Sequence, residues 1–193
     1  MPLLPLTTIS SKERIWMWKI EPQATDLERK AWLGLQQEAV NEILQHAAPG
    51  CGIVKDDKGK PHLTPPAAEI SISHSGHLAA VYVSEAGPCG VDLEMVGEKV
   101  LRIERKFCSE AESESLDRVS HREALHLIWG AKEALYKLYG RKEVDFRTQL
   151  LIEPFEPAES GHLFGRTVLP GLQARFRLGY RFWDGYCLVW TEV

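Results

Sequence analysis

Hydrophobic and polar positions along this chain mark a succession of short strands and two long helices. Residues 15–20, Ile-Trp-Met-Trp-Lys-Ile, are few and rich in strand-forming side chains, and they predict an opening strand. Between about 25 and 46, Leu27, Ala31, Leu35, Val40 and Ile43 recur near helical spacing. Asp26 and Glu28 fall in the expected first turn of that helix, and Pro49-Gly50 ends it. The polar stretch 55–61 comes next, broken by Gly59 and Pro61. Three strand-like segments follow at 69–73, 78–83 and 89–94. The link 84–88 between the second and third is short enough for a hairpin, so the three are expected to be antiparallel neighbours.

The second part of the chain repeats the order of helix, then strands, without repeating any sequence. Helices are expected from near 109 to 118 and from about 120 to 138, the latter closed by Gly140. Strand candidates lie at 149–154, 162–168, 174–178 and 186–191. A boundary near Gly97 divides the chain into halves, 1–97 and 98–193, that pack together. Strands joined by turns, with helices not interleaved between them, give an α+β fold.

Composition narrows the class. A length of 193 residues suits one compact domain or two small ones sharing a core. Hydrophobic residues at 44% and charged residues at 26% are ordinary for a globular protein, and no apolar run approaches the ~20 residues that span a bilayer. The start, MPLLPLTTISSKER, has no cationic flank before a long apolar run and does not read as a signal peptide, so the expected location is cytoplasmic. Cys51, Cys89, Cys108 and Cys187 are scattered, as reduced and partly buried thiols are. A net charge of −4, with no basic run carrying interleaved aromatics, argues against a general nucleic-acid binder.

Three segments carry chemistry. In Gly90-Val91-Asp92-Leu93-Glu94, alternation along a strand puts Asp92 and Glu94 on one face. Two carboxylates side by side repel, and a divalent cation relieves the repulsion; oxygen-only ligands favour Mg²⁺, Mn²⁺ or Ca²⁺. Alone, the pair also suits a solvated face of an edge strand. In the long second helix, Ala124, Ile128, Ala131, Leu135 and Leu138 form an apolar stripe. The other side presents His126, Trp129, Glu133, Tyr136 and Lys137, with Glu133 and Lys137 neighbours at a spacing of four. A surface ion pair explains those two equally well when they are taken in isolation. Third, Ile70-Ser71-Ile72-Ser73-His74-Ser75-Gly76-His77 ends a strand in hydroxyls and imidazole, a cluster suited to phosphate. It lacks the GxSxG elbow of a Ser-His-Asp hydrolase, and His74 and His77 lack the further ligands of a zinc site.

The order of these segments resembles the 4′-phosphopantetheinyl transferase superfamily, in particular its monomeric, surfactin-synthetase-activating type. The resemblance rests on Gly59-Lys60-Pro61, Ser73-His74-Ser75, the 90–94 strand, 107–112 (Phe-Cys-Ser-Glu-Ala-Glu) and 129–137 (Trp-Gly-Ala-Lys-Glu-Ala-Leu-Tyr-Lys). It implies two similar α+β halves forming a pseudo-dimer, with coenzyme A in the cleft between them. Its activity would be Mg²⁺-dependent transfer of phosphopantetheine to a serine of an apo carrier protein by a monomer. Asp92, Glu94 and Glu133 would surround the metal, and Lys137 would contact the transferred phosphate. Lys60, Ser73 and His74 would hold the nucleotide end, and Glu133 or Glu112 would take the serine proton. The chain departs from the family where Gln36 stands in place of a first-helix arginine and Gly97 in place of a basic residue. A non-catalytic relative that binds a carrier protein or nucleotide is the alternative.

Overall fold

A computed structural model of the protein describes residues 3–21, 29–116 and 120–192. Strand β1 (Leu3–Ser10) pairs with β2 (Glu13–Lys19), which buries Ile15 and Met17, and α1 (Arg29–Ala47) follows. The expected start of that helix at 25, with Asp26, Leu27 and Glu28, lies outside the described residues. A hairpin of β3 (Gly52–Lys55) and β4 (Pro61–Thr64) encloses the polar turn. With β5 (Glu69–Ser75) and β6 (Leu78–Ser84), the first sheet has the order β1-β2-β6-β5.

The second sheet contains β7 (Val91–Met95), β8 (Leu150–Ile152), β9 (Ser160–Leu169), β10 (Leu172–Trp183) and β11 (Tyr186–Glu192), in the order β7-β11-β10-β9-β8. Before β8 come α2 (Lys99–Phe107), α3 (Glu110–Glu114) and α4 (His121–Tyr139). Every described strand pair is antiparallel, which fits an α+β class.

Period-two alternation stacks the molecule in four layers. In β6, Ala79 and Val81 face α1, while Leu78, Ala80 and Tyr82 face the second sheet. In β11, Leu188 and Trp190 meet the first sheet, while Cys187 and Val189 join the core under α4. The layers therefore run α1, first sheet, second sheet, α4. In each part of the chain an early strand pairs with the last one, β2 with β6 and β7 with β11.

Two expectations are corrected here. The strand at 89–94 is not a neighbour of β6: both sides of β6 are taken, by β2 and β5, so β7 crosses to the edge of the second sheet. In place of one helix at 109–118 there are two short ones. α2 was not foreseen and is held by Val100 and Phe107; the expected end at 118 lies outside the described residues.

Candidate functional site

Close packing of α4 on β7 and β11 builds the site. A Cβ on Gly90 would collide with the backbone carbonyl of Ala134, and one on Gly130 would lie 2.8 Å from Val189 Cγ2. These two glycines let the helix ride directly over the strand that carries Asp92 and Glu94. Glu133 and Lys137, one turn apart, then look down on that pair.

The four side chains form a charged cluster. Lys137 Nζ donates to Asp92 Oδ1 (2.8 Å), to Ser73 Oγ (3.0 Å) and to the Val91 carbonyl (3.0 Å). Ser73 Oγ donates to Asp92 Oδ1 at 3.0 Å, whereas Asp92 Oδ2 is buried with no hydrogen-bond partner among the described residues. Glu94 accepts from Trp129 Nε1 (3.3 Å) and Ser75 Oγ (3.4 Å). Burial, with the Asp92 charge second, raises the pKa of Glu94 above its ordinary value. The same two causes push Glu133 up to about 7, opposed by Lys137 and reinforced by Glu94.

Among the described residues, no three His, Cys, Asp or Glu side chains stand close enough to enclose a metal ion as they are. In kind, the donors fit a hard divalent cation. They are all carboxylate oxygens, Asp92 Oδ2 lacks a partner among the described residues, and the Asp92 charge makes those of Glu94 and Glu133 harder to form.

Beside this cluster lies a cavity of about 450 Å³, walled by α1, the β3–β4 hairpin, β5 and the C-terminal end of α4. Lys55, Lys58, Lys60, His74, Lys137 and Arg141 line it, and no carboxylate does among the described residues; aliphatic side chains with Gln36, Gln37, Ser71 and Tyr136 complete the wall. Lys60 Nζ donates to the Leu138 carbonyl at 3.0 Å, so it also neutralises the negative end of α4. Its stem passes Gly140, whose φ of 66° closes the helix. The His74 ring is partly desolvated, and Lys137 and Lys55 are near it, so its pKa is lowered from 6.5.

The sequence-derived residues thus fall into two groups. Asp92, Glu94, Glu133 and Lys137 come together, and Lys60, His74 and Lys137 line the cavity. Ser73 sits with the first group: its hydroxyl is taken up by Asp92, Lys137 and the Leu93 amide, leaving no bonding site for a nucleotide. Glu112 is committed elsewhere. It closes a capping box on Ser109 and accepts from Lys132 Nζ (2.6 Å) and from the Ile152 amide (2.7 Å). Lys132 in turn is fully buried and donates to the Phe107 and Phe146 carbonyls. A carboxylate so engaged holds the second core together and is no candidate for a proton acceptor.

Gln36, which replaces the expected arginine, is buried in the cavity wall. Lys55, Lys58 and Arg141 were not foreseen as lining residues. The basic spacing 55-58-60 in the polar turn was the available signal; Arg141 follows the helix stop and carried none.

A sequence model of the 4′-phosphopantetheinyl transferase superfamily matches residues 88–180. The stretch runs from just before β7 into β10 and contains the DxE strand and α4. This match supports the superfamily and, in general terms, a phosphopantetheinyl transferase role. No curated protein gives a significant match to the chain. Among the described residues no helix is long and apolar enough to cross a membrane.

Proposed function

We propose that this protein transfers the 4′-phosphopantetheine group of coenzyme A to a serine of an apo carrier protein, as a Mg²⁺-dependent monomer whose two halves form one cleft. One observation carries the reading: Lys137 lines the basic cavity and also bonds Asp92 in the acidic cluster, so polyanion site and carboxylate site are continuous. Coenzyme A is a polyanion of matching kind, a 3′-phosphorylated nucleotide with a diphosphate. Six basic side chains and, among the described residues, no carboxylate face it.

Asp92, Glu94 and Glu133 would hold Mg²⁺, which when bound neutralises charge on the diphosphate. The serine oxygen bonds to the phosphorus that carries pantetheine, and the P–O bond to 3′,5′-adenosine bisphosphate breaks. Lys137 supplies positive charge to the phosphate oxygens as this happens. Glu133 is the acceptor for the serine proton, since Glu112, the other acid considered for that role, is locked to Lys132.

The test mixes the protein with coenzyme A, Mg²⁺ and an apo carrier domain, and weighs the carrier by mass spectrometry. A gain of one phosphopantetheine is expected, abolished by Glu133→Ala and by chelator. Lys137→Ala should lower kcat on the order of 100-fold with a much smaller effect on nucleotide binding. Gln36, in place of the family's arginine, favours a second reading as a non-catalytic relative. Coenzyme A binding with no mass gain would select that one.

A further inference from the structure

Strands β5 and β7 are the adjoining edges of two different sheets. Strand β7 pairs with β11 on one side, which leaves the Val91, Leu93 and Met95 amides pointing to its other edge. Each meets a serine hydroxyl of β5: Val91 N–H donates to Ser71 Oγ (3.0 Å), Leu93 N–H to Ser73 Oγ (3.1 Å) and Met95 N–H to Ser75 Oγ (3.0 Å). Both strands alternate with a period of two, so every second residue of β5 from Ser71 to Ser75, a serine each time, meets every second amide of β7. A ladder of hydroxyls stands where a neighbouring strand would otherwise satisfy the edge.

Two of these rungs reach further. Ser73 donates its own hydrogen bond to Asp92 Oδ1 and accepts from Lys137 Nζ, and Ser75 donates to Glu94 Oε2. Backbone amide, hydroxyl and carboxylate are thus joined in series on one strand. The opposite face of β5 carries Ile70, Ile72 and His74 on the cavity wall, which Ser71 also borders. One strand therefore borders the basic cavity on one side and fixes the acidic cluster on the other.

We propose that Ser73 is a positioning residue, which holds Asp92 and Lys137 in fixed relation through a hydroxyl that also anchors Leu93 of the carboxylate strand. The kinetic consequence rests on the transferase reading; the geometric one does not. With Ser73→Ala, Asp92 loses a donor, Lys137 an acceptor and Leu93 its rung. Ser71→Ala is the comparison, since Ser71 bonds the Val91 amide and no group of the acidic cluster among its described hydrogen bonds.

The experiment measures three quantities for each full-length variant: amide hydrogen exchange at Val91 and Leu93, Mn²⁺ affinity by electron paramagnetic resonance, and kcat and KM for coenzyme A. Ser73→Ala is expected to lose Leu93 protection, weaken Mn²⁺ about tenfold and lower kcat at least tenfold. Its KM should stay within about threefold of wild type. Ser71→Ala is expected to lose Val91 protection with a much smaller change in Mn²⁺ affinity and kcat. Equal losses of affinity and kcat in the two variants would overturn the proposal, because the ladder would then only hold β7 in place. If Ser73→Ala does not fold, Ser73→Cys, a weaker donor and acceptor of similar size, carries the same comparison. A wild-type protein that binds Mn²⁺ but transfers nothing would sink the transferase reading, while the ratio of Mn²⁺ affinities still judges Ser73.

Discussion

Asp92 is buried, with one oxygen bonded to Ser73 and Lys137 and the other to nothing among the described residues, a state that costs about 1–3 kcal/mol unless something repays it. A bound cation is the kind of partner that would. On the cavity side, His74 faces the opposite problem, an imidazole whose protonation is opposed by desolvation and by Lys137 and Lys55. Its lowered pKa means that its contribution to stability is present above pH 6.5 and fades as pH falls through the folded value. A polyanion in the cavity reverses the preference, so binding takes up a proton there. The affinity of wild type for coenzyme A relative to His74→Ala should therefore rise as pH falls from about 8 to about 6, read by titration calorimetry. A ratio flat across that range would contradict the assignment. At this scale the sequence was legible where geometry is local: alternation alone put Asp92 and Glu94 on one face. The contacts of Glu112 were not legible, because an acid beside a motif looks the same in sequence whether it faces a substrate or closes a capping box. Ser109-x-x-Glu112 does carry the capping-box signature, and that was the signal to follow.

Helix α4 lies close on strands β7 and β11 through two residues without side chains, Gly90 and Gly130. Gly90→Ala would drive a methyl into the Ala134 carbonyl, a backbone atom that cannot swing aside. The expected cost is about 3 kcal/mol, which in a chain of this length lowers Tm by roughly 6–12 °C in a calorimetric scan. An unchanged Tm would mean that the helix does not lie as closely on the strand as described. The extent of α4 was readable because its apolar stripe, its charged face and Gly140 agree. The path of β7 was not, since a five-residue link permits a hairpin without requiring one. What decides its path is that β6 has no free edge, and pairing of β6 with β2, some sixty positions earlier in the chain, is invisible to local pattern. Helix α2 was missed for a related reason: its buried face rests on Val100 and Phe107, too few positions to stand out from a polar segment.

The whole molecule assembles its site from both parts of the chain. The first sheet contributes β5, the first helix and hairpin contribute the outer cavity wall, and the second part contributes β7 and α4. Fold class and the acidic cluster could be read from residues 59–137, where side-chain chemistry and spacing coincide. The cavity's cations could not all be, because Lys55, Lys58 and Arg141 meet only after the hairpin folds over the end of α4. Everything about function hangs on cavity and cluster forming one continuous site. The most direct measurement is a crystal structure with coenzyme A and Mn²⁺, using the anomalous signal of the metal. The account predicts one Mn²⁺ peak bonded to oxygens of Asp92, Glu94 and Glu133 and to the diphosphate, with the nucleotide among Lys55, Lys60 and His74. A nucleotide bound elsewhere, or a metal that touches none of those three carboxylates, would contradict it.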